Sequence, residues 1–516
     1  MLKFRILCIA FIVIPLFCVS QNTQELLCKI IDTKTSEPVV FASVAVKNKN
    51  VGVISDDTGS FRLPITYRSD KIIIIISCIG YKTVEVDVSS LSSNYLNILK
   101  INPQVESLET ITIIAKKDPN RVKADYIPVR DIVKNAIAKI PLNYPRDPHS
   151  YIGYYREYQL LNKRYFNLNE GIMEEFDAGF QTNKIFDKDN QAALYSFKQN
   201  KAFPQDSALA SSYDNKNLKF IKQATITGFG GNELSVLNMH NVIRYNDKKS
   251  FSFIDVFKED FLYNHVFRLT DKTYLNDKPI YVIKFYALES VAGTKNRAEG
   301  SIYIAYDTFA IHKIEYSGFE LKNEKPFYSL KAEYALKDGK MYLNYVSFYN
   351  TFSAKSGDGF KIYSVEFDAT QNAFLVSFSN DIDEKTIAKK RRFRFEYNQD
   401  RLSISKVELL SKRQLKVTLA ENLSNDEIED FKTMKGIEYK IKNVADLTGR
   451  QLNKLSFIDA DQFREYFVQE VFKNKELPDN LIFVNKVLSL RKSKINSNAI
   501  DISKYWVNSP LKGTKN

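Results

Sequence analysis

The chain has 516 residues, 74 Lys and Arg against 61 Asp and Glu (a formal net charge of +13), and a hydrophobic content of 44%. This length and apolar content exclude a disordered tail and predict several domains of roughly 100–200 residues each. Phe (36) and Tyr (30) are abundant and Trp occurs once, a bias that favours β-structure. The chain has four His and four Cys, so few side chains are available for metal or thiol chemistry.

The N-terminus has the pattern of a secretory signal peptide. Lys3 and Arg5 precede an apolar run at 6–17 that is too short to span a bilayer comfortably, and a polar stretch follows. We therefore expect residues 1–20 to be removed on export, and the mature protein to lie in the periplasm or at the outer membrane or cell surface without a transmembrane span. A retained N-terminal anchor is one alternative. A lipid anchor on Cys18 is another, although a large residue precedes it.

Export implies an oxidising compartment, in which the mature chain would keep only Cys28 and Cys78. Spacing alone cannot show whether they pair, because a disulfide needs Cα atoms within about 7 Å of each other. Both lie in apolar, strand-like runs, where a free thiol behaves as a small hydrophobe. Pairing and two free thiols both stay open.

Residues 21–103 form short β-branched runs separated by turns, the pattern of a small antiparallel β-sandwich. Gly59 is expected to supply a positive φ in one of these turns. In the segments KIIDTKTSEPVVFASV, GVISDDTGSFRL and SCIGYKTVEV, the region resembles the carboxypeptidase-like regulatory domain, a transthyretin-like, seven-stranded-type sandwich of exported Gram-negative envelope proteins. Cys28 and Ser36 replace glycines that are usual there. The resemblance implies a fold and an envelope location, and it brings no catalytic residues.

Residues 104–142 are predicted to be a linker followed by an amphipathic helix. The segment PVRDIVKNAIAKIP repeats apolar residues at helical spacing, with Pro128 suited to the first turn and Pro141 to the end. We expect this helix to pack on the domain that follows, with a partner-binding face as the alternative.

Residues 143–402 are predicted to be a large, antiparallel β-rich middle domain with a few helices. The region at 128–180 resembles uncharacterised envelope proteins that also carry a carboxypeptidase-like domain. The pair GSIYIAYDTFAIHKIEY resembles one hairpin of periplasmic lipoprotein carriers, whose curved sheet encloses a lipid-binding cavity. An aromatic core and a ligand cavity are therefore both open for this domain.

Residues 403–455 resemble a bacterial immunoglobulin-like module, especially in the late strand followed by Asp446-Leu447-Thr448-Gly449. Such modules act as spacers or contact surfaces. Residues 456–516 are predicted to pack on the middle domain as a C-terminal segment, with a helix at ADQFREYFVQEVF and Trp506 as a packing anchor onto the preceding domain. A binding-site aromatic is the alternative role of Trp506.

His312 and Glu315 match the His-x-x-Glu spacing of a zinc motif, but they lie in a strand pattern. Residues three apart in a strand point to opposite faces, so the two cannot converge on one ion without a bulge. In a strand, His312 would lie on the same face as Ala310, Ile314 and Tyr316. This predicts a histidine that packs in the core. No zinc spacing links His149, His240 and His265, the other three histidines of the chain.

The sequence contains no Gly-x-Ser-x-Gly nucleophile elbow and no complete phosphate loop. The adjacent carboxylates Glu174-Glu175 and Asp56-Asp57 suggest solvated turns or faces. A glycosidase needs two carboxyls across a cleft, which a sequence cannot show. We therefore predict no catalytic, cofactor-binding or metal-binding residues and no cofactor. An unrecognised hydrolase stays open, and it would show as a concave cluster of Glu, Asp or His from separate strands.

A basic run at 389–394, interleaved with Phe393 and Phe395, could follow a polyanion. Because the protein is predicted to be exported, anionic lipid or lipopolysaccharide is a better candidate than nucleic acid. The alternative is a strand whose Arg392 and Arg394 face water and whose Phe residues face the core.

These features predict a mainly β, exported, non-catalytic envelope protein acting in binding or assembly through contacts with protein or glycan. A carrier of lipid or another hydrophobic ligand in the middle domain is the alternative. The first domain could also bind another protein by strand addition at an exposed edge.

Overall fold

The structure, a computed structural model, describes residues 25–49, 51–106, 127–180, 188–213, 218–222, 224, 231–246, 249–250, 254–255, 257–355, 359–454 and 457–510. The predicted signal peptide and residues 107–126, which belong to the predicted linker, lie outside these residues. The chain is mainly β, with 47% strand and 13% helix. It divides into two compact units, which we describe separately.

The first unit comprises residues 25–106 with 273–278 and 506–510. Its main strands form two sheets, which in spatial order contain Ser60–Pro64, Glu25–Asp32 and Asn97–Ile101 in one and Gly52–Ile54, Ser43–Val46, Ile73–Ser77 and Val84–Asp87 in the other. These are the seven strands of the predicted sandwich, and Gly59 has the predicted positive φ, +74°. The elements are β1 (Glu25–Asp32), β2 (Ser43–Val46), β3 (Gly52–Ile54), β4 (Ser60–Pro64), α1 (Thr66–Ser69), β5 (Ile73–Ser77), β6 (Val84–Asp87), β7 (Asn97–Ile101) and β8 (Val105–Glu106).

The core of the first unit contains Cys28 and Trp506. Cys28 is a buried free thiol, so it is not paired with Cys78, and burial raises its pKa to about 12. The Trp506 ring packs edge-on against Tyr67, with ring centroids 5.4 Å apart. Trp506 is therefore a packing anchor, but its placement on the domain before it in sequence was wrong. The partner is the N-terminal sandwich, which sequence distance could not reveal.

The second unit contains the remaining elements. Its helices are α2 (Val129–Ala138), α3 (Ile140–Asn143), α4 (Glu233–Met239), α5 (Glu259–Asn264), α6 (Glu289–Ala292) and α7 (Asn425–Lys432). Its strands are β9 (His149–Leu161), β10 (Arg164–Asp177), β11 (Gln191–Leu194), β12 (Lys198–Gln199), β13 (Lys219–Phe220), β14 (Lys249–Ser250), β15 (Ile254–Asp255), β16 (His265–Leu275), β17 (Lys278–Ala287), β18 (Asn296–Ala305), β19 (Ile311–Glu320), β20 (Tyr328–Lys337), β21 (Lys340–Lys355), β22 (Ile362–Asp368), β23 (Ala373–Phe378), β24 (Phe393–Tyr397), β25 (Asp400–Arg401), β26 (Ile404–Ser411), β27 (Gln414–Leu419), β28 (Ile437–Ile441) and β29 (Phe457–Lys473).

A large antiparallel sheet forms the centre of this unit, in the order β11-β10-β9-β29-β21-β20-β19-β18-β17-β16. The segment ADQFREYFVQEVF is part of β29 and pairs with β9 and β21 on its two sides, so the predicted helix was wrong. Much of this strand is buried on both faces, which hides the alternation that marks a strand. The same residues therefore also fit a helical spacing.

The predicted amphipathic helix is α2, with Ile132, Val133 and Ala136 buried in the core of the second unit. This confirms that it packs on the domain that follows. The helix does not simply end at Pro141, because a short second helix, α3, carries that proline in its first turn.

A second sandwich spans residues 360–452 within this unit, with sheets in the orders β22-β23-β27-β26 and β25-β24-β28. The module predicted at 403–455 would lack β23, the strand to which β27 is hydrogen-bonded. The sandwich therefore begins about where β22 begins, inside the range assigned to the middle domain. The boundary was missed because β22 and β23 have the same alternating pattern as the strands of the large sheet.

Residues 389–392 of the basic run precede β24 of this sandwich, in part as a single 3-10 turn, and Arg394 lies in the strand. Phe393 and Phe395 are fully buried, and Arg394 is turned outward beside Glu396. The alternative of a strand with buried Phe residues and an outward-facing Arg394 is thus confirmed, whereas Arg392 is half-buried and lies before the strand. The Arg392 guanidinium donates to the carbonyl oxygen of Asn443 at 2.8 Å.

Candidate functional site

His312 and Glu315 lie in β19, as predicted, but a bulge opposite Tyr303 and Ile304 shifts the register there. Ile311, rather than His312, consequently takes the fully buried position, and His312 is half-buried. The core histidine predicted at this position was therefore wrong. Glu315 forms an ion pair with Lys313 at 3.1 Å. Within the residues that the structure describes, no group of three or more His, Cys, Asp or Glu is arranged to hold a metal ion.

The other histidines pack against aromatic side chains. His240 is fully buried, stacks on Phe348 with ring centroids 3.7 Å apart, and has a pKa lowered to about 3 by burial. His265 packs against Phe261, with centroids 4.6 Å apart, and contacts the hydroxyl of Tyr316. The aromatic side chains of the large sheet thus fill its interior in these places.

A buried polar network joins distant segments on one face of this sheet. Arg464 is fully buried, pairs with Glu233 of α4, and donates to the Asn350 side-chain oxygen at 2.7 Å. Glu157 lies nearby, and its pKa is raised to about 7 by burial and by the charge of Glu233. Lys219 of β13 donates to the carbonyl oxygen of Leu209 at 3.0 Å.

This network brings together carboxylates from separate segments, which the hydrolase alternative requires. Glu157 accepts hydrogen bonds from Tyr155 at 2.9 Å and from Asn169 at 2.9 Å. Glu233 is engaged by Arg464. Neither carboxylate lines the cavities described below. The network therefore supports the packing of β9, β29 and α4.

The adjacent carboxylates Glu174 and Glu175 are buried, so their assignment to a solvated face was wrong. They point to opposite faces of β10, and both faces of that strand are covered. Glu174 accepts from Lys475 at 2.5 Å. Asp56 is buried as well, and its side-chain oxygen accepts from the backbone N–H of Ser60 at 2.9 Å in a turn.

Glu175 lies in the wall of a cleft at the C-terminal end of β10. Three cavities, with volumes of about 40, 30 and 310 Å³, all include Asp177 in their walls. The smallest two also share Arg244 and Tyr151. The largest is lined by residues that include Asp189, Lys475 and Glu476, so the walls of the cleft are formed mainly by charged, amide and aromatic groups.

The strand register explains how these side chains meet. Glu175 pairs with Tyr151 across β10 and β9, and Asp177 is two residues further along the same strand. Helix α4 and the turn after it supply Asn238 and Arg244. The cleft is therefore built from β9, β10, β11 and α4, together with the extended segment after β29.

Arg244 holds the walls together. Its Nε forms an ion pair with Asp177 at 3.0 Å, and its two terminal nitrogens donate to the carbonyl oxygen of Gly179 and the side-chain oxygen of Asn190, each at 2.6 Å. The second carboxylate oxygen of Asp177 accepts from the Gly179 N–H at 2.8 Å. Both oxygens of Asp177 are thus engaged in positioning the cleft.

Glu175 differs from Asp177 because it has no cationic hydrogen-bond partner. Burial raises its pKa to about 8, although the hydrogen bond from Asn238, 2.9 Å long, acts in the opposite direction. A carboxyl with a strongly raised pKa inside a cleft is a candidate functional group. The chemistry available here is hydrogen bonding to a polar ligand.

This site was not predicted from the sequence, because the residues that line it extend from Tyr151 to Lys486 without a local motif. The available signal was the pair of acidic residues at 174–175 in a strand that is otherwise largely apolar at its end, GIMEEF. Burying a carboxylate is unfavourable unless it is paired or hydrogen-bonded, so two acidic residues in an apolar strand indicate a position with specific partners.

The fold of the first unit defines the class of its domain, a small seven-stranded β-sandwich. Residues 28–113 match the family model of the CarboxypepD_reg-like domain, which confirms the resemblance drawn from the sequence. This domain is non-catalytic. No curated protein matches the chain.

Solved structures with some likeness include a DUF1329 family protein from Desulfovibrio piger, at 9% identity and a TM-score of 0.22, covering 43% of this chain and 86% of that one. A LolA superfamily protein from Nitrosomonas europaea has 9% identity and a TM-score of 0.20, covering 52% of this chain and 100% of its own. An outer membrane lipoprotein-sorting protein domain from Vibrio parahaemolyticus has 8% identity and a TM-score of 0.20, covering 58% and 96%. Similarities at this level support no functional conclusion. Across the described residues, no helix has both the length and the apolar character needed to cross a membrane.

Proposed function

We propose that this chain is an exported, non-catalytic cell-envelope protein that acts in binding or assembly, and that the cleft around Asp177 is its contact site for a glycan. The cleft carries the proposal, because three adjoining cavities converge on one residue and are lined by carboxyl, amide, guanidinium and tyrosine side chains. Sugars are recognised by such combinations, in which a few oriented polar groups are set among aromatic surfaces.

The largest cavity, about 310 Å³, lies at the lower end of the volumes usual for ligand pockets. Phe176 lies in the walls of both this cavity and the cavity of about 40 Å³, so an apolar surface joins the two. The Lys475 ammonium lies 4.6 Å from the centroid of the Phe472 ring and pairs with Glu174. The lysine is thereby held in place beside the cavity, where it can donate to hydroxyl groups.

The hydrolase alternative is less well supported by the same geometry. A glycosidase uses two carboxyl groups, one of them free to act as nucleophile or base. Both carboxylate oxygens of Asp177 already have partners in the wall of the cleft, Arg244 and the Gly179 N–H. Asp177 is therefore not free to act on a substrate. Glu175 is then the one carboxyl of the pair that a ligand can use.

The carrier alternative needs an apolar cavity in the large sheet. The side chains that would line it pack on one another instead, as in the stacking of His240 on Phe348 and the pairing of Arg464 with Glu233. No contact among the described residues that we identify favours a bound lipid over this packing.

The test is binding of the purified protein to an array of defined oligosaccharides, with hydrolysis products measured on the same samples. The combined change Asp189→Ala with Glu476→Ala removes polar groups from the largest cavity and is expected to weaken binding at least tenfold. The matched control is Glu366→Ala with Asp400→Ala, which removes two exposed carboxylates of the second sandwich. Binding that is equal in both variants, or release of cleaved sugar, would contradict the proposal. A stoichiometric lipid adduct in native mass spectrometry would favour the carrier instead.

A further inference from the structure

The cavity of about 40 Å³ in this cleft contains two buried polar atoms that have no hydrogen-bond partner among the described residues. They are Oε1 of Glu175, a residue 6% exposed, and Nδ2 of Asn190, a residue 8% exposed. Leaving such an atom unsatisfied is unfavourable, because its hydrogen bonds to water are lost and not replaced. An acceptor and a donor in one cavity are therefore complementary to a group that offers both a donor and an acceptor.

The orientation of both side chains is fixed by their other atoms. Oε2 of Glu175 accepts from Asn238 at 2.9 Å. Oδ1 of Asn190 accepts from Arg244 at 2.6 Å and from the Ala178 N–H at 3.0 Å, which identifies the free atom of the amide as its nitrogen. The two unpartnered atoms are thus held in place before any ligand binds.

The same cavity has an apolar side. Ala192, Leu234 and Val484 are all buried and line it together with the two polar residues. Its volume is about 40 Å³. On the measure by which one water molecule needs about 10–15 Å³, it has room for roughly three water-sized groups, which is close to the four heavy atoms of an acetamido group.

We propose that this cavity binds the acetamido group of an N-acetylated amino sugar, an inference that rests on the proposed glycan-binding function and names its ligand class. The carbonyl oxygen of the ligand accepts from Nδ2 of Asn190, and its N–H donates to Oε1 of Glu175. The methyl group packs against Ala192, Leu234 and Val484. The sugar ring then lies toward the wider part of the cleft, beyond Asp177.

The two hydrogen bonds distinguish an acetamido group from a hydroxyl group. A site built to pair with a particular polar group rejects an analogue that leaves its own atoms unpaired. The ligand N–H needs an acceptor, so it binds the ionised form of Glu175, and the two sugars are therefore compared near pH 9, above the pKa of about 8 of this carboxyl. Water molecules satisfying the same two atoms are the competing occupants of the cavity, and they would give no preference between sugars.

The experiment compares N-acetylglucosamine with glucose, which differ in one substituent, by ligand-observed NMR titration of the purified protein. We expect the protein to bind N-acetylglucosamine roughly tenfold to a hundredfold more tightly, as two hydrogen bonds of about 1 kcal/mol each imply. Glu175→Gln places an amide N–H opposite the ligand N–H, and Asn190→Asp places an oxygen opposite the ligand carbonyl. Each change is close to isosteric and is expected to bring the ratio of affinities close to one.

Glu476→Gln is the matched control, because it makes the same carboxyl-to-amide change in the neighbouring cavity. It is expected to change both affinities by the same factor and to leave their ratio intact. Equal binding of the two sugars by the wild-type protein, or a ratio that Glu175→Gln leaves unchanged, would overturn the acetamido inference and leave the proposed glycan-binding function standing. Absence of binding to either sugar and to the oligosaccharide array would overturn both. Unchanged circular dichroism and melting of the variants establish that each is folded.

Discussion

Replacing Glu175 with Gln is expected to increase the stability of the protein, and to do so more strongly as the pH rises. Burial is the largest cause of the raised pKa, which moves from 4.5 to about 8, and the charge of Asp177 adds to it. The hydrogen bond from Asn238 and the charge of Lys486 act in the opposite direction. The folded protein thus favours the neutral acid at this position.

The sign and the size of the effect follow from the two pKa values. Because the folded-state pKa is raised, the stability that this carboxyl contributes is complete below its unfolded value of 4.5 and is lost as the pH rises through about 8. At about 1.4 kcal/mol for each pKa unit, the loss is at most about 5 kcal/mol. Near pH 7 it is about 3 kcal/mol. Glutamine does not ionise, so the variant is spared this loss.

The assay is urea unfolding of the wild-type protein and the variant near pH 5, 7 and 9. The difference in free energy of unfolding between the two is expected to grow with pH, by several kcal/mol over this range. Glu366→Gln, at an exposed position, controls for the loss of one carboxyl. A difference that is constant with pH, or that grows toward acid, would refute the reasoning that burial holds Glu175 neutral.

Three further changes test the packing of each unit. Trp506→Ala is expected to destabilise the first unit by about 3–5 kcal/mol, because Trp506 is 5% exposed in the sandwich core. The control Tyr95→Ala, at a residue 78% exposed, is expected to change stability by less than about 0.5 kcal/mol. Equal losses of stability for the two variants in urea unfolding would contradict this packing. Arg464→Met leaves Glu233 buried without its cation, at a cost of about 3–5 kcal/mol. Adding Glu233→Gln is expected to recover part of that loss, and strict additivity in the double-mutant cycle would argue against coupling. Gly153→Ala would place a Cβ 2.3 Å from a carbonyl oxygen of the adjacent strand, so we expect a loss of about 1–3 kcal/mol, and an unchanged melting temperature would refute the close approach of the two strands.

Local pattern predicted the fold where each strand or helix has one buried face. The alternation in the first unit and the helical spacing of α2 correspond to half-buried elements, and both were identified correctly. The same reasoning failed for β29, because burial on both faces removes the alternation. His312 was misplaced for a different reason, since one bulge in β19 changes which residues face the core.

The cleft could not be predicted because its chemistry depends on tertiary contacts. Glu175 resembles any acidic residue in the sequence, and its environment is set by the register with Tyr151 and by an amide from α4. Arg244 and Asn190 are likewise joined across a separation of 54 residues. Adjacent carboxylates usually indicate a solvated position. Here both faces of β10 are covered, so Glu174 and Glu175 are buried although they point to opposite faces.

The most direct test of the account is a crystal structure of the protein soaked with N-acetylglucosamine. The account predicts density for the sugar in the cleft beside Asp177, with its carbonyl oxygen within hydrogen-bond distance of Asn190 Nδ2 and its N–H directed to Glu175 Oε1. A sugar bound elsewhere on the chain, or a cleft that contains only ordered water at saturating sugar, would contradict it.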